Sequence, residues 1–278
     1  MPKKLAVAAV VVLALAAAAL ALADRSNHRA FLADADAAIA AAPRQPDAPV
    51  TEADLASLPP PVAAHLRACG VVGARRVSVA RLRHGGRFLA SDALGWRPIT
   101  GEYVVTTGSP AFLWYGRVQA APFVPIVARD GFALGHGRML VKVFGAIPIV
   151  DARGDGMDQA AFARLAAELT LVPTALLPGP NLRWEPIDER SARAHLAVGA
   201  RRASLVFRRD PGTGETSLEV ERGRQEGDAL VPRTFRARAS GVLRAGGLAL
   251  PRRVEGSWIL PERELEYVDF ELEDATFE

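Results

Sequence analysis

The sequence predicts a mainly β protein (β-rich α+β): a strongly curved antiparallel sheet or open barrel with one helix packed on the concave face, preceded by N-terminal helices. Three observations lead there. Across the last hundred residues, apolar and polar side chains alternate with a period of two. Short turn-forming stretches such as Asp210-Pro211-Gly212 and Gly246-Gly247 separate the alternating runs, and connections that short join only antiparallel neighbours. About a dozen strands with a single long internal helix also exceed what a flat sheet sustains, because open sheets beyond about ten strands curl or split.

Taken in order, residues 1–23 read as a signal peptide or signal anchor. Lys3 and Lys4 precede an apolar run from Leu5 to Ala23 that closes on Ala21-Leu22-Ala23 before Asp24, and export machinery reads such a pattern. At about 1.5 Å per residue the run spans roughly 28 Å, close to the roughly 30 Å hydrocarbon core of a bilayer, which favours a retained anchor. The alanine-rich composition and its small-residue ending favour cleavage after Ala23. Either way the lysines keep the N-terminus cytoplasmic and send the body across. The domain is therefore expected outside the cytoplasm, anchored facing the periplasm or exterior, or secreted after cleavage.

Residues 24–50 read as a helical stalk and linker, with Phe31, Ala35, Ile39 and Ala42 at helical spacing. Residues 51–73 form a short helical preface: Thr51 with Asp54 is a capping pattern, Pro61 can open a helix, and Gly70 and Gly73 end it. Residues 74–278 are the curved β domain. Its first strands fall near 103–107, 112–115 and 139–144, rich in β-branched and aromatic residues. A helical insertion, 157–177, carries Phe162, Leu165, Leu169 and Val172 on one stripe, with Asp155 or Asp158 as its cap and Pro173 as its end. Seven strands follow, marked by pairs and triplets such as Ala192, Ala194 and Leu196, or Leu205 and Phe207.

Composition excludes several classes. One cysteine, Cys69, permits no internal disulfide. The formal charge of +3 falls to +1 without Lys3 and Lys4, and arginines interleaved with acids show no basic face, so no nucleic-acid partner is expected. Asp151, Asp155 and Gly156 echo a calcium loop, but Arg153 and Phe162 stand where oxygen ligands belong. The five histidines have no ligand spacing, and nucleotide-loop and nucleophile-elbow patterns are absent. No metal and no cofactor is implied.

Several segments carry a resemblance: Leu58-Pro59-Pro60-Pro61-Val62, Gly70-Val71-Val72-Gly73, Gly137-Arg138-Met139-Leu140-Val141-Lys142, Pro148-Ile149-Val150-Asp151-Ala152-Arg153-Gly154 and Trp184-Glu185-Pro186-Ile187-Asp188. Over roughly residues 55–275 the chain resembles a bacterial family of exported or membrane-anchored proteins with a domain of unknown function. The architecture is similar to the incurved sheets of bacterial lipoprotein carriers. That resemblance implies a fold and no activity.

The leading expectation is a non-enzymatic protein that holds a lipid or other apolar small molecule, with its membrane contact through the N-terminal segment. Its wall is expected at Trp114, Val143, Phe162, Leu165, Leu169 and Trp184, with Trp96, Trp258, Tyr103 and Tyr115 as further aromatic candidates. The alternative is an envelope enzyme with Glu102, Lys142, Asp151, Arg153, Asp158 and Glu168 converging in one cleft, where carboxylates and cations shift one another's proton affinity. Lys142, the only lysine beyond the leader, is read first as a solvent-facing residue, with pairing to Glu102, Asp151 or Glu168 as the functional alternative. A third reading is an interaction module with a broad exposed apolar patch.

Overall fold

The computed structural model describes residues 2–91, 93–227 and 229–278. Helices α1 (Pro2–Ala41), α2 (Glu52–Leu55) and α3 (Pro60–Ala68) precede the sheet. A first meander follows: β1 (Val79–Leu89), β2 (Trp96–Thr106), β3 (Ala111–Ala121), β4 (Val124–Ala133), β5 (His136–Val143) and β6 (Ile147–Ala152). Helix α4 (Asp155–Glu168) and two 3-10 turns lead to a second meander of β7 (Leu182–Pro186), β8 (Ser191–Val198), β9 (Arg201–Arg209), β10 (Thr216–Glu226) and β11 (Ala229–Ser240). A small hairpin, β12 (Leu243–Ala245) and β13 (Leu248–Leu250), precedes β14 (Arg253–Ile259) and β15 (Glu264–Phe277).

The seven strands read from the alternation after residue 182 are all present. Their apolar members point inward: Ala192, Leu196, Leu205, Phe207, Leu218 and Val220 are buried. One long-range pairing closes the architecture. β15 lies antiparallel beside β1, with Leu82 opposite Ala275 and Phe88 opposite Val268, and this joins both meanders into a 13-stranded antiparallel sheet. Its free edges, β6 and β7, are consecutive along the chain. The sheet curls into a half-barrel around α4, which touches β4 and β5 on one flank and β9 and β10 on the other.

Helix α4 is held by packing and by one buried carboxylate. Phe162 is fully buried, with its ring 5.1 Å from that of Phe132; a side chain so enclosed contributes about 1.5–3 kcal/mol. The N-cap is Gly154 at φ 94°, and neither Asp155 nor Asp158 caps the helix. Asp158 instead accepts the backbone N–H of Gly137 at 2.7 Å and Arg201 Nη2 at 3.1 Å, pinning α4 to β5 and β9. Regular helix stops at Glu168, and Pro173 opens a 3-10 turn rather than ending the insertion.

The opposite, convex face carries α1. Among the described residues α1 contains the stretch long and apolar enough, by length and composition, to cross a membrane. Its later turns dock on the sheet. Phe31 and Ala35 pack against Val104, Tyr115 and Val127, Asp24 pairs with Arg117, Asp34 pairs with Arg129, and His28 Nε2 lies 3.1 Å from Glu102 Oε1.

Candidate functional site

Between α4 and the concave face lies a cavity of about 940 Å³, at the upper end of the about 300–1,000 Å³ typical of small-molecule pockets. Val118, Ala128 and Val141 line one side, and Leu218, Ala237 and Phe270 line the other. Alanine at inward positions explains the space, since interiors otherwise pack to the density of organic crystals.

Polar groups enter this wall at inward strand positions. Asp130 follows Ala128 by two residues on β4, and Arg222 follows Val220 by two on β10, so the pleat that aims the apolar side chains inward aims these too. Arg164 joins them from α4. It donates to Asp130 Oδ2, its Nε donates to Glu168 Oε1 at 2.7 Å, and its guanidinium lies 5.2 Å from the Trp114 ring. Burial works against the Arg164 charge, but Asp130 and Glu168 outweigh it and hold the group well above its ordinary proton affinity. Burial, and then Glu168, raises the nearby Tyr103 phenol, which stays protonated. Two carboxyl groups thus face one guanidinium, and Asp130 Oδ1 is buried without a hydrogen-bond partner.

Arg222 is the reverse case. Its guanidinium lies 4.2 Å from the Phe235 ring and 4.7 Å from the Trp258 ring, and Nη2 donates to the Tyr267 hydroxyl at 2.7 Å. Among the described residues no carboxylate pairs with Arg222, and its Nε is buried and unpartnered. The cavity wall therefore carries one guanidinium compensated by acid, Arg164, and a second, Arg222, that no carboxylate compensates among the described residues.

Behind Trp114 sits His84. Its ring stacks 4.1 Å from Phe270, and Nε2 accepts the Trp114 indole N–H at 2.9 Å. Burial lowers its pKa to about 4, against a smaller opposing effect of the Gly85 carbonyl, so the ring is neutral. Gly101 makes the arrangement possible, because a Cβ there would stand 2.1 Å from His84 Nε2.

Of the six residues expected to wall the ligand, Trp114 lines this cavity. Phe162 and Leu165 do not: they interlock with the sheet so fully that no space remains beside them. Leu169 and Trp184 border a separate void of about 10 Å³, too small for more than a water. Val143, near the end of β5, is outside the lining. Tyr103 and Trp258 line the cavity, whereas Trp96 is partly exposed against Arg87 and Tyr115 faces α1.

The polar candidates do not converge. Only Glu168 reaches the cavity. Glu102 sits one residue from inward-facing Tyr103 and so projects from the convex side to His28. Asp151 is exposed between Arg153 and Arg138, whose hydrogen bonds, Arg153 first, hold its carboxyl far below the usual range. Asp158 is committed to α4. Lys142 pairs with none of its three candidate partners, since Glu102, Asp151 and Glu168 are engaged by His28, by arginines 138 and 153, and by Arg164. Its strand position opposite Val127 places it on the convex face. The single cleft required for the enzyme reading is not formed by these residues. Arg164, Asp130 and Arg222 were absent from both sets; the readable signal was a charged residue in the inward phase of an apolar run.

A curled antiparallel half-barrel closed round an internal helix is a class of fold that encloses space. Residues 48–270 match a family of unknown function (DUF6544), and the chain belongs to that family. Among solved structures, a LolA superfamily protein from Nitrosomonas europaea is similar at 10% identity and a TM-score of 0.34, over 77% of this chain and 92% of that one. No curated protein matches the chain.

Proposed function

We propose that this chain is a membrane-anchored, extracytoplasmic and non-enzymatic protein that binds a lipid or similar long-chain amphiphile in its trough. The observation that carries the reading is the largely apolar cavity of about 940 Å³ between α4 and the sheet. Each methylene moved from water into such a space contributes about 0.8 kcal/mol, so an acyl chain gains affinity in proportion to the length it can bury. Arg222, the cavity cation with no carboxylate partner among the described residues, orients the ligand. Arg164 already faces two carboxyl groups, so an anionic head is repelled there and accepted at Arg222, where the free guanidinium edge and the Tyr267 hydroxyl offer donors.

A fluorescent long-chain fatty acid titrated into the purified full chain tests the reading. Saturable binding near one site per chain, displaced by unlabelled long-chain amphiphiles and not by short ones, is the expected result. Absence of binding by folded protein that is free of co-purified lipid removes the proposal.

A further inference from the structure

The end of the first meander that adjoins the root of α1 carries apolar side chains in unusual positions. Phe123, at the turn between β3 and β4, is 93% exposed and adopts φ 62°. A bulky side chain in the left-handed region is strained by about 1–2 kcal/mol, and an exposed phenylalanine there gains nothing from the domain's own core. Nearby on the edge strand β6, Ile147 and Ile149 are 58% and 56% exposed. An unpaired edge with apolar side chains invites pairing or aggregation unless something covers it.

The docking of α1 says where this rim lies. The apolar run ends at Ala23, and the next residue, Asp24, pairs with Arg117 near the end of β3 and lies 3.1 Å from the Tyr115 hydroxyl. Asn27 bonds the Gly145 carbonyl in the turn between β5 and β6. That turn is pressed against the helix so closely that a Cβ on Gly145 would meet the Asp24 Cα at 3.1 Å. At the other end of α1, the turn between β2 and β3 abuts Pro43 through Gly108. Strand β3 therefore runs back along α1 toward the apolar segment, and the turn holding Phe123 lies past Arg117 in the direction of the bilayer. Lys142, with no acidic partner among the described residues, is on the α1 side of the same end, opposite Val127. Apolar tips with a nearby cation are what a headgroup region with anionic lipid accepts.

We infer that the rim formed by Phe123, Ile147 and Ile149 rests in the interface of the same bilayer that α1 crosses. Ile149 and Val150 are also cavity-lining residues, so the seated rim sets an opening of the trough against the membrane surface. The inference rests on a retained N-terminal span and on no particular ligand; a failure of ligand binding leaves it standing.

The test uses the full chain reconstituted into vesicles of phosphatidylcholine and phosphatidylglycerol. Phe123→Cys carries an environment-sensitive fluorophore, and Leu134→Cys, at the far end of β4 and 62% exposed, is the control. The native Cys69 is buried, and burial pushes its thiol up to about 11 against the pull of Arg209, so it does not compete for label. The expected result is quenching of the Phe123→Cys label by brominated acyl chains, with iodide access reduced at least about fivefold relative to the control. Equal iodide access at both sites overturns the inference, as does recovery of the chain as a soluble species beginning at Asp24. Ile147→Cys gives the same reading if Phe123→Cys does not fold.

Discussion

The Trp114 indole N–H donates to His84 Nε2 across 2.9 Å inside the cavity wall. The bond requires a neutral imidazole whose Nδ1 carries the proton toward the Gly85 carbonyl at 3.2 Å. A protonated ring would set two donors against each other in a place where only 1% of the residue is exposed.

Acid should therefore destabilise the fold before carboxylates titrate. Burial places folded His84 at about 4, whereas an unfolded histidine titrates near about 6.5. Between those values the unfolded chain binds the extra proton, so the stabilisation is whole above about pH 6.5 and is lost as pH falls toward 4. The expected loss from His84 is about 3 kcal/mol, and His65, lowered to about 4 by burial and then by Arg209, adds in the same direction. Urea unfolding at neutral pH and at pH about 4.5 measures it; equal stability at both would show that these rings are not buried neutral.

Arg164 holds two carboxyl groups that have no other cation partner among the described residues. Arg164→Met should cost about 3–5 kcal/mol, because it strands buried acid rather than merely removing a bond. Adding Asp130→Asn and Glu168→Gln should recover most of that loss. Denaturant midpoints of the single and triple variants decide the matter, and a single variant as stable as the parent would refute the buried cluster.

Arg222 should set head preference. The parent is expected to favour a long-chain carboxylate over the alcohol of equal length by about tenfold, the range of a charge-assisted hydrogen bond. Arg222→Gln should abolish that preference and keep the alcohol. An unchanged ratio would place the head elsewhere.

Filling the trough should block it. Ala237→Phe projects a ring into open space, so stability should change by less than about 1 kcal/mol while chain affinity falls at least about tenfold. Calorimetric titration alongside thermal unfolding separates the two effects.

The sheet was legible because its signal is local. From Leu182 onward each inward residue sits two from the next, and short turns force antiparallel order. The pairing of β15 with β1 spans most of the domain and leaves no local trace beyond the excess of strands. The helix stripe of Phe162 and Leu165 correctly marked a face against the sheet, but apolar spacing cannot separate a filled contact from a hollow one. What distinguishes them is volume: the cavity lies where Ala128 and Ala237 replace larger side chains. The polar groups of the wall were missed for a related reason. Arg222 looked like one more arginine in an arginine-rich chain, and only its phase, two residues beyond Val220, sets it apart. The six polar candidates are dispersed by the same rule, since Glu102 and Lys142 occupy the outward phase beside inward Tyr103 and Val141.

The most direct measurement is mass spectrometry of the organic extract from full chain purified out of its native membrane and washed free of bulk lipid. The account predicts one long-chain amphiphile per chain, retained by the parent and depleted in Ala237→Phe. Folded protein that yields no amphiphile and takes up none when offered would contradict it.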